Sequence, residues 1–181
     1  MVLSEDDGKL FYKLWLPLLA YVNYVKNINH SLTDMDAATA IRPREAKEVA
    51  DVLWDEPQLI DEYLSDHPEI DGVEREILAS WKRRVKDKFF VERHLKKGTI
   101  LISGNTDEIY LVLGITSSWE YMTRYARLPI VVDATLIPFK SVIISDGLVG
   151  SYSVSFGGNI TQSLKESYMA AKKAGRIRKS L

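Results

Sequence analysis

Up to Phe90, apolar residues in this chain recur every three or four positions; beyond Gly98 they come in short unbroken runs. The first pattern is the period of a buried helix face and the second is that of strands. Leu10, Leu14, Leu18, Tyr21, Val22 and Val25 form the first stripe. Phe11, Trp15 and Leu19 widen it, so the first helix is expected to be contacted on several sides. Ser4 is placed to cap this helix, and Glu5, Asp6 and Asp7 suit the positive end of its dipole. The stripe ends in the turn-rich run Asn27-Ile28-Asn29-His30-Ser31. A second helix is predicted from Pro43, with Ala46, Val49, Ala50 and Leu53 on one face and Pro57 beyond its end. Leu59, Ile60, Tyr63 and Leu64 predict a short third helix stopped by His67-Pro68. A fourth is read from Gly72 to Phe90, burying Val73, Ile77, Trp81, Val85 and Phe89.

After Gly98, the segments 99-TILIS-103, 109-IYLVLGI-115, 130-IVVDATLI-137, 141-SVIIS-145 and 151-SYSVSF-156 are rich in Ile, Val, Tyr and Thr, the composition of strands. Gly104-Asn105 and Asp146-Gly147 supply turns, the second read as a hairpin between two apolar strands. The stretch 117-SSWEYMTRYA-126 is read as a short helix. A last helix is predicted from Asn159 or Thr161, either of which serves as its cap, with Leu164, Tyr168 and Ala171 inward and Gly175 at its end. The pattern predicts an α+β protein. A helical N-terminal half, residues 1–97, precedes a β-rich region, residues 98–181. The latter is a small, mostly antiparallel sheet or partly open barrel closed by a C-terminal helix. No linker composition separates the halves, so they are expected to pack as one module.

Composition changes this picture little. The 181 residues suit one large domain or two small ones, and 46% hydrophobic content is enough for a core. The apolar run Leu14 to Val25 is twelve residues long, too short to span a bilayer, and Pro17 and Asn23 interrupt it. Acidic residues precede it where a secretory signal would be basic, so neither leader nor membrane association is expected. The chain has no cysteine, which removes disulfides, thiolate metal sites and thiol nucleophiles and is in keeping with the cytoplasm.

Charge is more informative in its distribution than in its total. The net charge is −1, yet residues 34–76 carry fourteen acids against four bases, and residues 81–97 carry eight bases against two acids. The basic segment WKRRVKDKFFVERHLKK offers Lys82, Arg83, Arg84, Lys86, Lys88, Arg93, Lys96 and Lys97, interleaved with rings. Cations among aromatics are what a nucleic-acid backbone and its bases need. On a helix, however, Trp81, Val85 and Phe89 share a face and belong to the core, which leaves the charges as a solvated surface or as partners for the acidic helices. Lys172, Lys173, Arg176, Arg178 and Lys179 add a basic C-terminal helix.

Other chemistry is weakly signalled. The run 61-DEYLSDHPEID-71 carries Asp61, Glu62, Asp66, Glu69 and Asp71 but lacks calcium-loop spacing. His30, His67 and His94 are too widely separated to suggest zinc, so neither metal nor cofactor is expected. No Gly-x-Ser-x-Gly elbow occurs. Asp133 and Asp146 would make an acid–base pair only if their strands adjoin, and Asp146 reads first as a turn former. Gly157 and Gly158 open the last helix, where free amides, Asn159, Thr161 and Lys165 would suit a phosphate, although neither nucleotide fingerprint is present. The simpler reading is a strand-to-helix turn.

The segments FYKLWLPLLAYVN (11–23), LASWKRRVKDKFFVERHLKKGTILI (78–102), IPFKSVIISDGLVGSYSVSFGGNI (137–160) and SLKESY (163–168) resemble a family of uncharacterised bacterial proteins. The resemblance implies a cytoplasmic bacterial protein, and no activity. The expected function is a non-enzymatic binding or regulatory module that meets a protein or nucleic-acid partner through charged surfaces; a further expectation is a homo-oligomeric structural protein whose apolar N-terminal helix pairs with a copy of itself. The competing expectation is a small hydrolase or phosphate-ligand binder with its pocket at the Gly157-Gly158 helix start.

Overall fold

The computed structural model describes residues 1–29, 43–152 and 156–181. His30 and Ser31, and the centre of the predicted strand 151–156, lie outside these residues. The chain forms two compact units, one of Ser4–Arg83 and one of Met1–Leu3 with Arg84–Leu181.

The first unit is helical. Helix α1 (Glu5–Lys26) starts where the sequence places its cap, with the Asp7 N–H donating to Ser4 Oγ at 3.1 Å. It ends at Asn27, whose left-handed φ of 52° turns the chain away. Helices α2 (Pro43–Asp55) and α3 (Leu59–Asp66) pack on α1, followed by α4 (Gly72–Ser80) and a 3-10 turn, Trp81–Arg83. The core is aromatic: Trp15 lies flat on Trp54 with centroids 5.4 Å apart, and Trp81 meets Trp15 edge-on at 5.7 Å. Lys26–Glu56 and Lys82–Asp61, each at 2.6 Å, tie the helices at the surface. Among the described residues no helix is long and apolar enough to cross a membrane.

The predicted helix from Gly72 to Phe90 is corrected. It stops at Ser80, and Val85–Leu95 is strand β1. Trp81, Val85 and Phe89 recur by four, a spacing that fits the strand period of two as well as the helical 3.6. The inward set is Asp87, Phe89 and Val91, and a buried aspartate among the apolar positions hides the alternation from a reader of the sequence.

Strands β2 (Gly98–Ser103), β3 (Ile109–Leu113), β4 (Ile130–Phe139), β5 (Val142–Ser145) and the short β6 (Gly150–Ser151) follow, with α5 (Trp119–Met122) between β3 and β4. β1 pairs with β2 on one edge and β4 on the other; β2 pairs with β3, β3 with β5, and β5 with β4. The sheet therefore closes on itself, with every ladder antiparallel except β3–β5. This is the connectivity of a five-stranded Greek-key barrel, with β6 as a short addition at the edge of β4. Phe89, Val91, Leu101, Tyr110, Val112, Val132, Leu136 and Ile143 fill its interior, and Trp119 from α5 joins them.

The Asp146-Gly147 hairpin is also corrected. The β4–β5 hairpin turns at Lys140-Ser141, since Phe139 pairs with Val142, and Lys140 takes the left-handed φ of 52° there. β5 and β6 both follow one edge of β4, beside Leu136–Phe139 and Val132–Asp133 respectively. Residues 146–149 form an outward step between the two pieces, in which Asp146 Oδ1 accepts from the Leu148 N–H at 3.0 Å. Asp146 is thus a turn former, as its residue type suggests, in a different turn.

Helix α6 (Gly158–Lys173) lies on the outer face of β2 and β3. Its Leu164, Tyr168 and Ala171 pack with Ile100, Ile102 and Ile109, the outward residues of those strands, flanked by Phe90, Leu111 and Ile177. The chain after it pairs beside Tyr110: the Arg178 N–H donates to Ile109 O at 2.8 Å, and the Leu111 N–H donates to Arg178 O at 2.9 Å. Burial on both faces explains why β2 reads as one unbroken apolar run. Tyr168→Ala is expected to lower unfolding free energy by about 3 kcal/mol and to increase amide exchange in β2 and β3. Urea titration with exchange mass spectrometry measures both, and a loss below about 1 kcal/mol would mean that α6 is not part of the barrel core.

Candidate functional site

Period-two geometry on β1 sends Lys88 and Phe90 outward, because Asp87, Phe89 and Val91 point in. Phe90 stands opposite Val131 across the β1–β4 ladder. Beyond β6 the Tyr152 N–H donates to Val131 O at 3.1 Å, which fixes Tyr152 next to the same outer face. The Lys88 ammonium lies 5.3 Å from the centroid of the Tyr152 ring, and Phe156 meets Phe90 edge-on at 5.6 Å. Two cavities share Tyr152 and Phe156 as a wall. One, of about 380 Å³, is completed by Lys88, Phe90, Gly104, Asn105 and Val131. The other, of about 700 Å³, is completed by residues 126–130, Ser151, Gly158, Thr161 and Gln162. The two adjoin at these rings and together are called the groove.

Its electrostatics are one-sided. Among the described residues neither cavity is lined by an aspartate or glutamate, whereas Lys88 and Arg127 line one each. The start of α6 adds the positive end of a helix dipole at Gly158. Asp133 pairs opposite Lys88 in the ladder but does not line the groove. A groove with aromatic walls, two cations and free helix amides suits a ligand that is both flat and anionic.

The structure brings together only part of each predicted set. Gly158 and Thr161 line the groove; Gly157, Asn159 and Lys165 do not. The predicted cap at Asn159 or Thr161 is corrected: the N-cap is Gly157, no side chain caps the helix, and Thr161 Oγ1 instead donates back to Gly157 O at 3.3 Å. Neither glycine is needed for a left-handed φ or for space, since a Cβ at Gly157 or Gly158 would meet nothing within 4 Å. Of the basic set, Lys88 alone lines the groove. Lys82 and Arg83 belong to the helical unit, where Lys82 pairs with Asp61. Arg84, Lys86 and Lys88 are at the start of β1, Lys96 and Lys97 form the turn at its far end, and Arg93 binds Glu92 and covers the Tyr168 ring at 4.2 Å. Eleven residues of strand separate the two ends, on the order of 30 Å, so the run is not one surface.

Arg127, Phe90, Tyr152 and Phe156 were not singled out from the sequence. A signal for two of them exists: Tyr152 and Phe156 are four apart in a strand-like segment and share its parity. In the acidic run 61–71, Asp61 binds Lys82 and Asp66 accepts from Tyr21 Oη at 2.9 Å, contacts that join elements of the helical unit. Among the described residues no three His, Asp or Glu side chains converge as a metal would require. The most connected polar cluster is structural. Ser103 Oγ donates to Asp87 and accepts from the Asn105 and Thr106 N–H groups at 3.2 and 3.0 Å, which clamps the β2–β3 turn onto β1.

Fold and groove together define an α+β protein with a closed Greek-key barrel unit. No protein-family model, curated protein or solved structure matches the chain, so its chemistry is read from its own residues.

His94, which the sequence assigns to the basic surface, is a neutral strut. Its Nδ1 lies 2.9 Å from Thr99 Oγ1 and its Nε2 lies 3.1 Å from Thr123 Oγ1. Thr123 Oγ1 donates to Trp119 O, so it accepts from Nε2–H, and Nδ1 accepts from Thr99. Burial lowers the His94 pKa; Glu120 opposes this and the N-terminal amine adds to it. A folded value below the unfolded one means that stability present at neutral pH is lost as pH falls below about 6.5, until the folded pKa is passed. Unfolding free energy measured between pH 8 and pH 5 should fall on acidification, and His94→Gln should flatten that slope. An equal slope in the variant would remove His94 from the account.

Proposed function

We propose that this chain is a non-enzymatic binding module whose barrel unit takes a flat, anionic ligand of nucleotide type in the β1–β4 groove. The observation that carries the reading is the pairing of the exposed Lys88–Tyr152 contact with Phe90 and Phe156 in a groove that, among the described residues, no carboxylate lines. A base would lie against the aromatic wall, and phosphate oxygens would meet Lys88, Arg127 and the Gly158 amide. The groove takes Lys88 from the charged surface expected from the sequence, and Gly158 and Thr161 from the expected pocket at the helix start. The fold is a weaker support, because a barrel connectivity is shared by proteins of many functions. Bacterial origin and a cytoplasmic setting are supported by the family resemblance and the lack of cysteine.

A non-catalytic role is supported by how the groups most able to take part in acid–base or nucleophilic chemistry in the barrel unit are held. Ser103 is held by four hydrogen bonds with no histidine among its partners. Asp146 is bonded into its turn, and His94 is held between two threonines.

Titration of a fluorescent adenosine nucleotide, followed by anisotropy, tests the proposal. Tyr152→Ala and Lys88→Ala are each expected to weaken binding about tenfold, since a base–ring stack contributes ~1–3 kcal/mol. The double variant Lys96→Ala/Lys97→Ala removes two charges far from the groove and should change affinity less than twofold. Equal losses in all three would indicate diffuse attraction, and no binding by the unaltered protein at millimolar nucleotide would refute the reading.

A further inference from the structure

The rim of the groove does not end at Arg127. The preceding residues carry a second aromatic–cation arrangement: the Arg124 guanidinium lies 4.0 Å from the Tyr121 ring centroid and 4.5 Å from that of Tyr125. Its Nη1 donates to Tyr121 O at 2.7 Å, which holds the guanidinium between the rings. Tyr125 is 90% exposed and Tyr121 58% exposed. A ring this exposed, with one face against a guanidinium, keeps its other face open for stacking. Only Ala126 separates Tyr125 from Arg127, which keeps their Cα atoms within about 7 Å, and Ala126 itself lines the groove.

We infer that the groove and the Tyr121–Arg124–Tyr125 stack form one track for single-stranded nucleic acid, with one base on the Tyr152–Phe156 wall and a later base on Tyr125. The inference rests on the groove's reading as a nucleotide site and extends it from a mononucleotide to a strand. Arg127 lines the groove with Tyr152 and Phe156 and follows Tyr125 by two positions, so it is the cation a connecting phosphate would meet. The strand cannot use the face that such barrels commonly offer, because α6 buries the outward side of β2 and β3 under Leu164, Tyr168 and Ala171. The turns that often reach over ligands, at Lys96-Lys97 and Lys140-Ser141, are two-residue hairpins here. Alternating rings and cations fit a binder that holds a strand mainly by stacking and phosphate contacts, occupying about four to eight nucleotides.

The test compares fluorescein-labelled dT2 with dT8 on the whole chain, using the unaltered protein, Tyr121→Ala/Tyr125→Ala and Tyr152→Ala. Both rings of the first variant are exposed, so its fold is expected to be unaffected, and circular dichroism checks this. The expected result is dT8 bound at least tenfold more tightly than dT2. Tyr121→Ala/Tyr125→Ala should erase that advantage while leaving dT2 unchanged, and Tyr152→Ala should weaken both. The salt dependence for dT8 should flatten by ~0.7 in log–log slope when Arg127→Ala removes one phosphate contact. If dT2 and dT8 bind equally, or the tyrosine double variant keeps the full dT8 affinity, the track is wrong and the nucleotide groove stands. If Tyr152→Ala affects neither oligonucleotide, the groove reading fails and takes this inference with it. Tighter binding to an acidic peptide of equal charge than to dT8 would likewise overturn it.

Discussion

The barrel unit depends on one contact, the burial of the outer face of β2 and β3 beneath α6. Ile100, Ile102 and Ile109 are apolar on the side that would otherwise meet solvent, so the strands are unsuited to water until Leu164, Tyr168 and Ala171 cover them. The chain then runs back along β3, where Arg178 pairs beside Tyr110 and reaches Glu108 with its side chain. Arg93 covers the Tyr168 ring from the β1 side, adding a cation to the edge of the same contact.

This seal decides which surface is left for function. Barrels of this connectivity usually present β2 and β3 to their ligands; here that face is core. What remains open is the β1–β4 side, where β6 and the start of α6 meet Lys88 and Phe90. The helix that closes one face therefore delivers its uncapped N-terminus to the other. Gly157 supplies no side chain to the first amides, and the space around both glycines is empty. In a helix start serving the fold alone, a Ser, Thr, Asn or Asp cap would be the more stabilising choice.

Much of the architecture was legible in the chain, and the failures share a cause. The helices up to Ser80, the capping by Ser4, the four strands β2 to β5 and the inward face of α6 follow from local periodicity. β1 was misread because Trp81, Val85 and Phe89 satisfy two periods at once and because Asp87 occupies an inward position. What settles the ambiguity is not local: Asp87 is tolerable inside because Ser103 and Asn105, on the next strand and its turn, bond to its two oxygens. The Asp146-Gly147 turn was read as a hairpin for the same reason. Its residues predict a turn, but only the β4 ladder shows that the strands on either side share one partner edge.

The groove was half legible for a different reason. Charge and glycine patterns mark Lys88, Gly158 and Thr161 in a linear sequence, but they also mark Lys82, Lys96 and Lys165, which the fold places elsewhere. The separating variable is strand parity combined with pairing. Lys88 and Phe90 matter because they point outward at the position where Val131, and behind it Tyr152, is aligned by the β4 register. A basic run is ambiguous until its backbone is known, since a helix would gather its cations on one face and an extended strand spreads them over its length. Here the strand spread them and kept one beside an aromatic wall. The case for a specific site thus rests less on how much positive charge the segment carries than on where the fold withholds negative charge.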